Sequence, residues 1–74
     1  MKYAVVIEKG PTSYGASVPD LPGCVAVADT REQVETLIEE AIALHLAGLR
    51  EDGLPTPAAL TDVVFVDVNP QIAK

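Results

Sequence analysis

Only one stretch of this chain is periodic enough for long enough to be a helix, and that limits the fold more than any other feature. From Val34 onward, apolar residues recur at Leu37, Ile38, Ala41, Ile42, Leu46 and Leu49, with His45 on the same stripe. That is the spacing of one helical face. Thr30, with Gln33 three residues later, supplies a capping box. Gly53 suits the position just past the helix end, and Pro55 and Pro57 forbid continuation. The spacing predicts a helix over 31–52. Outside it, no apolar run exceeds five residues, so the rest must supply strands and turns. A lone amphipathic helix has to bury its stripe against a sheet.

The strands are read from β-branched runs bounded by turn residues. They are expected at about 2–9, 13–18, 24–29 and 62–68. The first, "KYAVVIEK", is apolar on both faces at mid-strand, with Tyr3, Val5 and Ile7 on one side and Ala4 and Val6 on the other. Such a strand belongs in the centre of a sheet with cover on both sides. The second alternates Tyr14, Ala16 and Val18 against Ser13, Gly15 and Ser17, the pattern of a half-buried strand. Short connections make the first three strands an antiparallel meander. A helical crossover then returns the chain for a fourth strand, parallel to the one before the helix. The expected fold is therefore α+β, β-β-β-α-β, with sheet order 3-2-1-4 and the helix on one face. Seventy-four residues suffice for one domain, 1–74, and no repeat or low-complexity stretch divides it.

Between the second and third strands lies "SVPDLPGC". Pro19 can end a strand because it has no N–H for the ladder. Asp20 can bond nearby backbone, Pro22 fixes one φ, and Gly23 can take a positive φ. Leu21 is expected to tuck against the end of the core. The stretch reads as a rigid corner built from Pro19, Asp20, Leu21, Pro22 and Gly23.

Composition narrows the function classes. The net charge is −6, from eleven acidic and five basic side chains. That balance disfavours direct binding to a phosphate backbone and favours a basic partner. Most of the excess lies on the helix, where Glu32, Glu35, Glu39 and Glu40 stand off the apolar stripe or at its edge. They are the candidate partner-binding residues; a solvated helix exterior is the ordinary use of such a face. Cys24 is the only cysteine, so no disulfide is available, and a reducing, cytoplasmic setting is expected. No run approaches the length of a membrane span. Hydrophobic residues make up 49% of the chain, rich for so small a domain. Exposed apolar patches and hence a homo-oligomer, dimer or tetramer, are expected.

Catalysis finds little support. A β-β-β-α-β sheet of this order is the core of the ribonuclease H fold, whose metal chemistry needs carboxylates converging from several strands. Mid-strand positions on the first strand here are Ala4, Val5, Val6 and Ile7, and no convergent cluster can be assembled. His45 lies in the apolar stripe without a second ligand or an oriented partner. Cys24 lacks a positioned base and reads as a small buried hydrophobe. Gly48 sits within the helix, where either a close approach or mere tolerance near the end would account for it. No catalytic residue, metal site or cofactor is expected.

The string from Tyr14 to Pro57 resembles the HicB-like antitoxin family. The residues that carry the likeness are Tyr14, Pro19-Asp20-Leu21-Pro22-Gly23-Cys24, Asp29-Thr30, Glu32 and the Gly53-x-Pro55-x-Pro57 segment. Ala28 stands where the family often has glycine. The resemblance implies a partial ribonuclease H-like fold without that enzyme's active site. It also implies a partner, a small basic HicA-like toxin that cleaves messenger RNA, which the antitoxin would bind and occlude. Many family members add a C-terminal DNA-binding segment; the sequence ends at Lys74, so this is expected to be a short form without one. The alternative is a stand-alone oligomeric module of the same fold that binds another protein or a ligand.

Overall fold

The computed structural model describes residues 1–71; residues 72–74 of the expected domain lie outside the described residues. Three strands and one helix follow in the order β1 (Val6–Lys9), β2 (Tyr14–Ser17), β3 (Val25–Ala28) and α1 (Arg31–Glu51). The strands form one antiparallel meander, β1-β2-β3. Its register pairs Ile7 with Ala16 and Ala16 with Ala26. Because side chains alternate along a strand, this register puts Ile7, Ala16 and Ala26 on one face. Val6, Ser17 and Val25 fall on the other.

The helix covers the first of these faces. Val34 and Ile38 of α1 are buried against Ala16, Val18, Leu21 and Cys24, with Tyr3, Val5, Ile7, Ile42 and Leu46 packed around them. α1 lies over β2 and β3 and leaves the inner side of β1 beside its flank. Its ends are closed locally. Gln33 N–H donates to Thr30 Oγ1 at 3.1 Å, and Thr30 N–H donates to Gln33 Oε1 at 3.2 Å. At the C-terminus, Leu54 N–H reaches Leu49 O and Gly53 N–H reaches Arg50 O, with Gly53 at φ +70°. These are the paired bonds of a Schellman motif, which needs a left-handed residue after the cap.

The corner between β2 and β3 consists of two successive turns. Leu21 N–H donates to Val18 O and Cys24 N–H to Leu21 O, both at 3.0 Å. Pro19 and Pro22 each occupy the second place of a turn, where a fixed φ helps. Gly23, at φ +86°, takes the third place of the second turn with the φ of type II. Leu21, between the turns, is fully buried.

One expectation fails. The fourth strand, read over 62–68, is not in the sheet; among the described residues the sheet has three strands, and the order 3-2-1-4 is realised only as 3-2-1. The segment belongs to no helix or strand, and Val64, Phe65 and Val66 are 80%, 95% and 71% exposed. The cause lies just upstream. The Tyr3 hydroxyl donates to Pro57 O beside β1, and Asp20 then receives Leu60 N–H and Thr61 N–H at 3.0 and 2.9 Å. The connection thus crosses the end of the sheet from β1 to the β2–β3 corner and leaves from there. β1, read as a central strand, is an edge strand of the isolated chain.

Candidate partner-binding surface

Three surfaces offer themselves to a partner. The first is the acidic side of α1. Glu32, Glu35, Glu39 and Glu40 are all exposed, but they are not equivalent. At about 100° per residue, Glu32, Glu35 and Glu39 fall within about 60° of one another on one side of the helix, and Glu40 stands further round, on the crest. Glu35 and Glu39 border the groove beside β1, whereas Glu32, in the first turn, borders a hollow with Val27, Asp29, Gln33 and Leu37. Glu35 is also shared with Arg31, whose Nε lies 3.5 Å away; so exposed a pair contributes little.

The second surface is the open face of the sheet, opposite the helix. Val6, Val25 and Val27 are exposed there, the last two at 62% and 66%, with Gly15 and Ser17 between them in the register. Three valines around two small residues make a flat, mostly apolar patch, with Glu8 at its margin opposite Gly15. The alternation of "CVAVAD" carries this face, since Val25 and Val27 fall opposite Cys24, Ala26 and Ala28.

The third is a groove of about 570 Å³ between β1 and the helix flank. Tyr3, Val5 and Ile7 form one wall and Ile38 and Ile42 the other, with Arg31, Glu35 and Glu39 along the rim. It exists because the helix sits over β2 and β3, and no residue-level motif announces it.

The corner residues have structural work. Asp20 does not bond the backbone of its own turn, as its place in the sequence suggests. It accepts three bonds from a segment forty residues on, including the Thr61 hydroxyl at 2.7 Å. These bonds, led by the Thr61 N–H, hold its carboxyl below the ordinary aspartate value. Cys24 is buried, and burial pushes its thiol up, the opposite of what a nucleophile needs. His45 is half-buried on the helix stripe. Among the described residues no three His, Cys, Asp or Glu side chains come together as a metal site would require, and no helix is long and apolar enough to cross a membrane.

Residues 3–73 match the family described as the HicB-like antitoxin of bacterial toxin-antitoxin systems. The chain belongs to the HicB-like antitoxin family. A solved structure described as a HicA3 and HicB3 toxin-antitoxin complex contains a chain with the same fold. The likeness has a TM-score of 0.69 at 30% identity, covering 81% of this chain and 70% of that one. A 14.9 kDa protein of Haemophilus phage HP1 is 40% identical over 57 residues, 77% of this chain. The match spans only 43% of that phage protein's length. Proteins of Archaeoglobus fulgidus and Thermoplasma acidophilum are 43% and 34% identical over 47 and 58 residues. The matches cover 62% and 77% of this chain, and 68% and 84% of the archaeal proteins.

Proposed function

We propose that this HicB-like chain is the antitoxin of a toxin-antitoxin pair, a non-enzymatic cytoplasmic protein that binds a small basic mRNA-cleaving toxin and covers its RNA-binding surface. The observation that carries this reading is the shared fold with a chain of a HicA3 and HicB3 toxin-antitoxin complex, at 30% identity over 81% of this chain. The charge of −6 supports it, since opposite charge speeds encounter and sets partner choice. The antiparallel meander with its helix is the greater part of a partial ribonuclease H-like fold, and the place of a fourth strand beside β1 is open. A homo-oligomer would present several copies of the contact surface.

The helix glutamates and the open sheet face lie on opposite sides of the sheet, so a toxin meets one or the other. The acidic side of α1, with Glu32, Glu35 and Glu39 together and Glu40 on the crest beside them, suits a basic partner, and we assign the encounter to it. Co-expression with a small basic protein encoded beside this chain's gene tests the function. Growth arrest by that protein should be relieved and the two should co-purify; arrest that persists, with no co-purification, refutes the antitoxin reading. Reversing Glu35 and Glu39 to Lys should slow association by roughly tenfold at low salt and much less at high salt. An unchanged rate would move the contact to the face of Val6, Val25 and Val27.

A further inference from the structure

Two features of the isolated chain are each half of a contact. Asp62–Val68 is an exposed, valine-rich segment outside the sheet, with the alternation of a strand, and the groove beside β1 is an apolar slot with no occupant. We infer that the segment Asp62–Val68 of one copy adds to the free edge of β1 in a second copy and fills the groove between β1 and α1, reciprocally, as a strand-exchanged dimer.

The occupant is a second copy because this chain carries both halves and its own connection directs the segment away from its own β1. Pro57 is still beside β1, held by the Tyr3 hydroxyl, but Leu60 and Thr61 are fastened to Asp20 at the β2–β3 corner. Returning from that corner would mean doubling back across two strand spacings, about 10 Å. The segment instead lies exposed, away from the core. Its seven residues span about 23 Å when extended, and the chain measures 52 Å along its longest axis. The radius of gyration is 15.1 Å, against ~11 Å for a compact domain of this size.

The pattern of the segment fits the slot. Asp62, Val64, Val66 and Val68 share one face, and Val63, Phe65 and Asp67 the other. With the face of three valines turned inward, those valines meet Tyr3, Val5, Ile7, Ile38 and Ile42, Asp62 falls at the end of the strand beyond them, and Asp67 stays in water. The other face then brings Val63 and Phe65 alongside the exposed Val6, extending the open face of the sheet. Added there, the strand makes β1 a central strand, as its two apolar faces require, and removes an unpaired edge that invites aggregation.

This inference is independent of the toxin, and its test uses the pure chain of residues 1–74. Sedimentation should show a dimer at micromolar concentration. In an equal mixture of isotope-labelled and unlabelled chains, contacts from the Val64 and Val66 methyls to Ile42 and Tyr3 should appear between differently labelled chains. The double variant Val64→Asp, Val66→Asp places two carboxylates in an apolar slot, and should weaken the dimer by roughly a hundredfold or more. Both positions are exposed in the single chain, so its circular dichroism should remain that of a folded protein. A monomeric wild type overturns the inference, as do contacts confined within one chain. A dimer that survives the double variant also overturns it and points to the face of Val6, Val25 and Val27.

Discussion

Leu21 is the side chain whose truncation should cost the fold most for its size. It is fully buried, and its position is fixed from both sides by backbone bonds, Leu21 N–H to Val18 O and Cys24 N–H to Leu21 O. The corner on which it sits contains Pro19, Pro22 and a glycine already at φ +86°, so the backbone has little freedom to collapse into a space left by Leu21→Ala. Buried leucine truncations cost about 2–5 kcal/mol, more where the site cannot relax, and a rigid corner places this one at about 3 kcal/mol or above. A domain of this length has roughly 4–11 kcal/mol in total, so the variant loses a large share. At about 4–8 °C per kcal/mol, the melting temperature should fall by about 12 °C or more. Urea unfolding followed by far-ultraviolet circular dichroism at fixed protein concentration measures the loss, with an unchanged slope showing that stability alone has moved. Leu44→Ala is the control: Leu44 is exposed on the helix, and its loss should fall within about 0.5 kcal/mol. A Leu21→Ala cost below about 1 kcal/mol would refute the rigid-corner argument, because it would mean that the turns yield.

Gly23 and Gly48 both have nothing within 4 Å of where a methyl group would stand, so backbone conformation alone should decide the sign. Gly23→Ala forces a left-handed alanine and should destabilise by about 1–2 kcal/mol, whereas Gly48→Ala in the helix should stabilise by up to about 1 kcal/mol; denaturant midpoints moving in the same direction would contradict this. Asp20 has a folded pKa below its unfolded value, so its bonds to Leu60 and Thr61 add stability above about pH 4, and that contribution fades as pH falls through the lower folded value. Melts of wild type and Asp20→Asn should therefore differ near neutral pH and converge in acid; parallel pH profiles would show that the clamp contributes nothing. Cys24, buried and with its thiol pushed up, should react with a thiol reagent at neutral pH about tenfold or more slowly than free cysteine, and rapid labelling of the folded protein would disprove its burial.

What could be read from the sequence was what neighbouring residues determine among themselves. Thr30 with Gln33, and Gly53 with its two prolines, mark helix ends through bonds spanning a few residues, and α1 ends at Glu51, within a residue of expectation. Asp20 shows where such reading stops. A carboxylate in a turn has backbone donors close at hand, yet here it binds Leu60 and Thr61, and no local pattern ties position 20 to position 61. The glutamates of α1 are a milder case: the sequence groups Glu32, Glu35, Glu39 and Glu40 by charge, while helix geometry keeps the first three on one side and turns Glu40 onto the crest.

The two strand misreadings have one source. Alternation and two-faced apolarity describe the surroundings a strand needs, covered faces and paired edges, without regard to which chain provides them. By that measure β1 needs a neighbour on its open edge and Asp62–Val68 needs an edge to join. In a single chain neither need is met: Phe65 is 95% exposed, and the slot lined by Val5, Ile7 and Ile42 is unfilled. The Asp20 clamp turns the segment away from the edge it would otherwise complete. A pattern that is wrong for one copy at two places, and wrong in complementary ways, is what remains when the unit that satisfies it contains two.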